Sequence, residues 1–239
     1  MNQSNQGSSG YQGLQVTGEK RYSKGYSFTT ALTWSRAYDF GGHNAMYPWN
    51  TNLDRSPQDS DRALIFTVGH VWDLPLGPGK AFLKSNSAVR HLTAGWQFAG
   101  VTSFMSGTPF TPTVSNTASL NSDCCTLRPD RLGVGTRSDA NRDGWFDKTA
   151  FAVPGLYQFG TSGRNILRGP GFMTADWALS KSIFFTETKK LELRWEAFNA
   201  LNRTNLGNPN TGIDTSVVGL IRGLSNPMRR QQLGAHFTF

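Results

Sequence analysis

Large and small side chains alternate over long stretches of this sequence. From Tyr26 the even positions run Tyr26, Phe28, Thr30, Leu32, Trp34, Arg36 and Tyr38, with Ser27, Thr29, Ala31, Thr33, Ser35 and Ala37 between them. A period of two sets alternate side chains on opposite faces of a strand, so this segment has one bulky apolar face and one small polar face. The pattern returns in Leu92, Ala94, Trp96, Phe98, Gly100, Thr102 and Phe104. It recurs in Met173, Ala175, Trp177, Leu179, Ile183 and Phe185, against Thr174, Asp176, Ala178, Ser180 and Ser182. Leu191, Leu193, Trp195 and Ala197 oppose Glu192, Arg194 and Glu196, and Leu233, Ala235, Phe237 and Phe239 oppose Gln232, Gly234, His236 and Thr238. With less regular segments at about 11–22 and 62–74, the sequence predicts about seven strands. Most are near the ~9–11 residues that carry a tilted strand across a bilayer.

The predicted connections differ in length. Ser23-Lys24-Gly25 and Thr186-Glu187-Thr188 read as tight turns and 75–91 as a moderate Gly/Pro link, whereas 39–61, 107–170 and 203–229 read as long polar loops without structure of their own. Short connections at one end and long ones at the other are the habit of outer-membrane barrels, with periplasmic turns and external loops. Tyr26, Tyr38, Trp72, Phe104, Phe172 and Phe185, near strand ends, suit interfacial girdles. The expected fold is all-β, an antiparallel transmembrane β-barrel segment over 11–239, with 1–10 a disordered or loop start. Phe28, Leu32, Trp34, Trp96, Phe98, Trp177, Leu179, Leu193 and Trp195 then face lipid. A soluble β-sandwich would bury the same aromatics in its core.

Composition sharpens this picture. Hydrophobic residues make up only 37% and 26 residues are Gly, a poor recipe for one large water-soluble core. No stretch approaches the 18 or more apolar residues of a spanning helix, a test to which strands are invisible. The formal charge of +8 and pI near 9.8 invite a nucleic-acid partner. The Lys and Arg residues are scattered singly, however, without the dense stripe that neutralises phosphates, so no nucleic acid is expected. The excess charge suits an anionic lipopolysaccharide leaflet. MNQSNQGSSG has no basic n-region and no apolar h-region, and the absence of an export signal there predicts a piece of a longer precursor.

The last eight residues read polar–x–Gly–x–x–aromatic–x–aromatic through Gln232, Gly234, Phe237 and Phe239. This resembles the terminal signal by which outer-membrane barrels engage the barrel-assembly machinery. An apolar-faced last strand offers its unpaired backbone to a template strand.

Further segments carry a family resemblance. They are Trp145-Phe146-Asp147 leading to Ala150-Phe151, then Gly163-Arg164-Asn165 through Leu167-Arg168-Gly169-Pro170-Gly171, and Asp176-Trp177-Ala178-Leu179-Ser180-Lys181. With them stand the stretch Leu193 to Asn205, the segment Gly95 to Gly100, and Ser106-Gly107-Thr108-Pro109-Phe110. From about residue 11 the chain resembles the end of the TonB-dependent receptor barrels, in particular their Oar-like group. The resemblance implies a barrel of about twenty-two strands closed by an amino-terminal plug. It also implies import of a bulky nutrient (siderophore, cobalamin or glycan) driven by a TonB-type energising protein that acts through amino-terminal parts this sequence does not contain.

Other residues invite chemistry. Asp139, Asn141, Asp143 and Asp147 have the oxygen spacing that opens an EF-hand-like calcium loop, but Ala150 stands where the bidentate Glu belongs, and a solvated Asp/Asn turn is the plainer reading. No other cofactor is expected. Cys124 and Cys125 are adjacent and could form a vicinal disulfide, pair with another chain or stay free thiols. His43, His70, His91 and His236 share no metal-ligand spacing, and Gly77-Pro78-Gly79-Lys80 lacks the glycine spacing of a phosphate loop and reads as a turn. Glu192, Arg194 and Glu196 share a face and read as a salt-bridged lumen wall rather than catalytic carboxylates, so no enzyme is expected. Arg128, Arg131, Arg137, Trp145 and Tyr157 of the longest loop are the expected substrate contacts. Two alternatives stand beside this reading: a self-standing eight-stranded outer-membrane barrel with a structural or adhesive role, needing one more strand within 107–170, and a secreted β-sandwich that binds glycans.

Overall fold

The computed structural model describes residues 8–40, 46–47, 50–77, 80, 82, 93–115 and 126–239. Seven long strands run in chain order through one antiparallel sheet: β1 (Gly10–Ser23), β2 (Tyr26–Asp39), β3 (Leu64–Asp73), β4 (Trp96–Met105), β5 (Phe172–Phe184), β6 (Lys190–Phe198) and β7 (Arg230–Thr238). Each lies within a few residues of its predicted span. The largest difference is at β4, which starts at Trp96; Ala94 sits in a bend before it, and Leu92 lies outside the described residues. Lys24 and Gly25 form the two-residue turn between β1 and β2, at φ 54° and 81°. Left-handed backbone at both central positions matches the twist of the flanking strands, and glycine adopts it without a Cβ penalty.

The register joins the bulky faces into one surface. Leu14, Trp34 and Leu64 stand side by side, as do Val16, Leu32, Phe66, Phe104 and Met173 in the next row. Trp72, Phe98, Leu179, Trp195 and Leu233 form a further row. All nine residues predicted to meet lipid therefore lie on one face of the sheet. The opposite face carries Thr29, Gly69, Val101 and Asp176 in one row and Ser27, Val71, Ala99, Ala178, Glu196 and Gln232 in another.

The sheet also slides along its strands. One row crosses Lys20, Phe28, His70, Gly100, Trp177, Ala197 and Gln231. It meets β1 near its last residue and β7 at its second, although β1 and β7 run the same way. A steady offset of this kind is the stagger that tilts the strands of a barrel wall. Among the described residues β1 pairs only with β2 and β7 only with β6, so the sheet is open at both edges.

The long loops correct the sequence expectation, because they are not without structure. Among the described residues, the buried hydrophobic cluster lies in them: Phe110, Phe146, Ala150, Phe151 and Leu167, with Trp145, Ile166, Ile213 and Val218 packed against it. Short strands of two to six residues (Pro109–Phe110 with Leu167–Arg168, Asp130–Arg131 with Phe151–Ala152, and Gly144–Phe146 with Thr136–Asn141) organise this cap. Loops 107–170 and 203–229 are stitched by backbone bonds, Thr113 N to Thr211 O at 2.9 Å and Ile221 N to Arg142 O at 2.9 Å. Among the described residues of 107–170 there is no eighth long strand.

Candidate functional site

Three features bear on function: the apolar face, the polar face behind it, and the cap over the long-loop end. On the first, Trp34 is 61% exposed, and Leu64, Trp72, Phe104, Leu193 and Leu233 are exposed as well. Among the described residues no second sheet covers this face. Contiguous exposed hydrocarbon on that scale is rare on a water-soluble monomer and marks a surface that meets another apolar phase. Lys20 interrupts the face near a strand end, where its ammonium reaches the Ser23 and Tyr26 carbonyl oxygens at 3.1 and 2.9 Å. A long basic side chain that carries its charge to the rim is the usual way to keep a cation beside hydrocarbon.

The polar face pairs its charges internally. Lys190 meets Glu192 at 2.9 Å and Arg194 meets Glu196 at 2.7 Å along β6, and Gln232 donates to Glu196 from β7. Thr67 and Ser103 share a hydroxyl hydrogen bond at 3.1 Å. The expected charge pairing is observed for these residues, Glu192 with Lys190 and Arg194 with Glu196. Above Ser27, Thr29, Gly69 and Ala99 the small side chains leave a concavity of about 440 Å³ bordered by Asp176, Arg194 and Glu196.

In the cap, three arginines of loop 107–170 hold carboxylates of the 39–61 loop. Arg128 Nη2 lies 2.6 Å from Asp54 Oδ1, with 2% and 0% of the two side chains exposed. The Arg128 guanidinium lies 5.2 Å from the centre of the Tyr47 ring. Tyr47 N donates to Asp54 Oδ2 at 2.9 Å and its hydroxyl donates to Gly160 O at 2.6 Å; burial pushes that hydroxyl's pKa up. Arg164 clasps Asp39 and Asp59, the latter at 2.8 Å, and burial pulls the guanidinium below its ordinary range. Arg168 holds Asp61, which also faces Arg36 at 3.5 Å and accepts from Ala37 N at 2.8 Å. Asn165 Nδ2 adds bonds to Pro57 O at 2.7 Å and Asp59 Oδ1 at 2.6 Å.

The predicted loop contacts divide. Arg128 is sealed inside this network and does not reach solvent, because the folded loops that the sequence left unstructured enclose it. Trp145 packs on the cap core and donates its indole N–H to Arg168 O at 2.8 Å. Arg131, Arg137 and Tyr157 are exposed, Tyr157 at 73% and in left-handed backbone. The candidate calcium residues are occupied locally. Arg137 binds both Asp139 oxygens at 2.9 and 2.6 Å, lowering the carboxyl pKa and raising its own. Asn141 Oδ1 accepts from Asp143 N at 2.9 Å. Asp147 Oδ1 accepts from Thr149 N and Oγ1 at 2.9 and 2.7 Å, which lowers its pKa. Among the described residues no three His, Cys, Asp or Glu side chains are grouped to hold a metal. Cys124, Cys125, His43 and His91 lie outside the described residues.

The terminal strand pairs with β6 from Lys190↔Thr238 to Phe198↔Arg230, and its residues are exposed throughout. Phe237 and Phe239 stack at 6.3 Å beside Phe185 near the short-turn end. Sequence reasoning missed the Asp54–Arg128 and Arg164–Asp59 pairs, whose partners are 74 and 105 residues apart and which no local spacing announces. No helix of the described residues is long and apolar enough to cross a membrane, which says nothing about strands. The family model described as an outer membrane beta barrel domain matches residues 2–232. No curated protein and no solved structure matches the chain.

Proposed function

The chain belongs to the outer membrane beta barrel domain family and resides in the bacterial outer membrane, and from that premise we propose that it is wall and external cap of a larger barrel that imports a bulky nutrient. One observation carries the reading: a single face gathers most of the large apolar side chains of seven strands, while the other carries mainly small or polar side chains and internally paired charges. That division suits hydrocarbon outside and water inside. Strand parity supports the larger barrel. Seven alternating strands leave β1 and β7 running the same way, so antiparallel closure needs an odd number of further strands, and open edges are not tolerated in lipid. Counted over the described residues, the same parity favours the larger barrel over a self-standing one.

The finer reading, a TonB-dependent receptor of the Oar-like group, rests on the sequence resemblance. Under it a siderophore, cobalamin or glycan is the substrate, a TonB-type protein supplies energy through amino-terminal parts, and the terminal strand addresses the barrel-assembly machinery through Gln232, Gly234, Phe237 and Phe239. Lipid and lipopolysaccharide surround the wall, and its role is transport rather than catalysis. Quenching of tryptophan fluorescence by brominated phosphatidylcholine tests the wall. Strong quenching through Trp34, Trp96, Trp177 and Trp195 is expected; a buffer-soluble protein with unquenched tryptophans would overturn the proposal. Deleting the gene and following energised uptake of iron chelates, cobalamin and glycans tests the transport reading, which fails if no uptake changes.

A further inference from the structure

At the short-turn end of the apolar face, a groove of about 670 Å³ runs between Trp96 on one side and Trp195 and Leu233 on the other, floored by Leu179, Ile183 and Leu193. Its lining is apolar apart from Lys181 and Arg194, and Arg194 belongs to the opposite face, where it pairs with Glu196. Lys181, on the apolar face itself, is only 6% exposed, donates to the Ala94 carbonyl and stands 5.5 Å from the Trp96 ring centre. Neither contact neutralises it. The nearby basic side chains of β6 are already matched, Arg194 to Glu196 and Lys190 to Glu192, and among the described residues no carboxylate forms an ion pair with Lys181. A buried ammonium without a counter-charge is costly beside lipid, and such residues are ordinarily completed by a partner. Two of its three N–H donors are left for that partner.

We propose that this groove is a seat for one anionic glycerophospholipid of the periplasmic leaflet, its phosphate on Lys181 and one acyl chain along Leu179, Leu193, Trp195 and Leu233. The charge selects the head group, since a hydrocarbon-lined groove holding a lone cation complements an amphiphile with an anionic end. The short-turn end selects the leaflet. The seat rests on the proposed function, because it requires the apolar face to meet the bilayer.

Native mass spectrometry of the detergent-solubilised protein, titrated with phosphatidylglycerol, phosphatidylcholine or lipid A, tests the seat. One phosphatidylglycerol per chain is expected to be retained, about five-fold more tightly than phosphatidylcholine, the discrimination one interfacial lysine supplies. Lys181→Met should bring the two phospholipids level, and Lys181→Arg should restore the preference, which separates loss of charge from loss of fold. Equal retention of the two phospholipids by the unaltered protein, a preference that survives Lys181→Met, or stronger retention of lipid A would each overturn the seat. Quenching by brominated phosphatidylcholine reports on contact of the face with lipid whatever the head group. Quenching without selectivity therefore refutes the seat alone, whereas absence of quenching refutes the wall as well.

Discussion

Replacing Arg128 by Met strips the cap of its most deeply buried charge pair. In the native fold Asp54 is fully buried and accepts from two donors, Arg128 Nη2 at 2.6 Å and Tyr47 N at 2.9 Å. The substitution leaves the carboxylate with the backbone donor alone in a site closed to water. Breaking a buried pair by removing one partner costs about 3–5 kcal/mol, most of it the uncompensated charge left behind. If the cap opens as a unit, amide exchange in 50–61 and 126–170 should accelerate by roughly two to four orders of magnitude, at about 1.4 kcal/mol per tenfold. Hydrogen-exchange mass spectrometry reads this directly, with amides of β3 and β4 as the internal control. The double variant Arg128→Met with Asp54→Asn removes both charges and keeps an acceptor for Tyr47 N, so it should recover most of the lost protection. Unchanged exchange in Arg128→Met, or a double variant no better than additive, would refute the electrostatic account.

Other outcomes follow from the same geometry. Phe146→Ala in the cap core should cost about 3–5 kcal/mol of cap stability, read as the shift in the midpoint of cap proteolysis against denaturant, while sheet protection holds. Gly107→Ala should prevent the cap from seating, because a Cβ there collides with the Gly169 carbonyl oxygen; protease sensitivity confined to 107–170 is the readout. Gly25→Val should slow hairpin formation and cost about 1–2 kcal/mol, since a β-branched residue must hold φ 81°; urea unfolding in detergent measures it. Asp139 and Asp147 have pKa values lowered by the Arg137 and Thr149 hydrogen bonds. Their stabilising share is therefore complete above the ordinary carboxylate pKa of about 4 and is lost as pH falls through the lowered folded values. Protection of the 136–149 amides, taken relative to intrinsic exchange at each pH, should fall on acidification below that range, and Asp147→Asn should flatten the response.

The sheet was legible because a strand between two solvents writes its faces into the sequence one residue at a time. Trp34, Trp96, Trp177 and Trp195 came to lie on one face by parity alone, and Lys24-Gly25 announced its turn. The cap was not legible, because outside the local hairpin of 136–146 its periodicity is broken into strands of two residues whose partners lie well along the chain. Phe110 meets Leu167 and Thr113 meets Thr211, and no window of ordinary length contains both members of either pair. Residue type marks Arg128, Arg131, Arg137, Trp145 and Tyr157 as able to meet a ligand but carries no signal of exposure. Burial removes Arg128 from the surface, whereas Arg137 and Tyr157 are exposed, a difference that residue type does not announce.

The cap has its hydrophobic cluster beyond the edge of the sheet, and its last contributors, Ile213 and Val218, belong to the final loop before β7. The cluster from Phe110 to Leu167 therefore lacks part of its packing until residues well beyond it in the chain are in place. Folding of the segment that leads into β7 is thus coupled to completion of the cap core, so the β6–β7 pairing and the cap mature together.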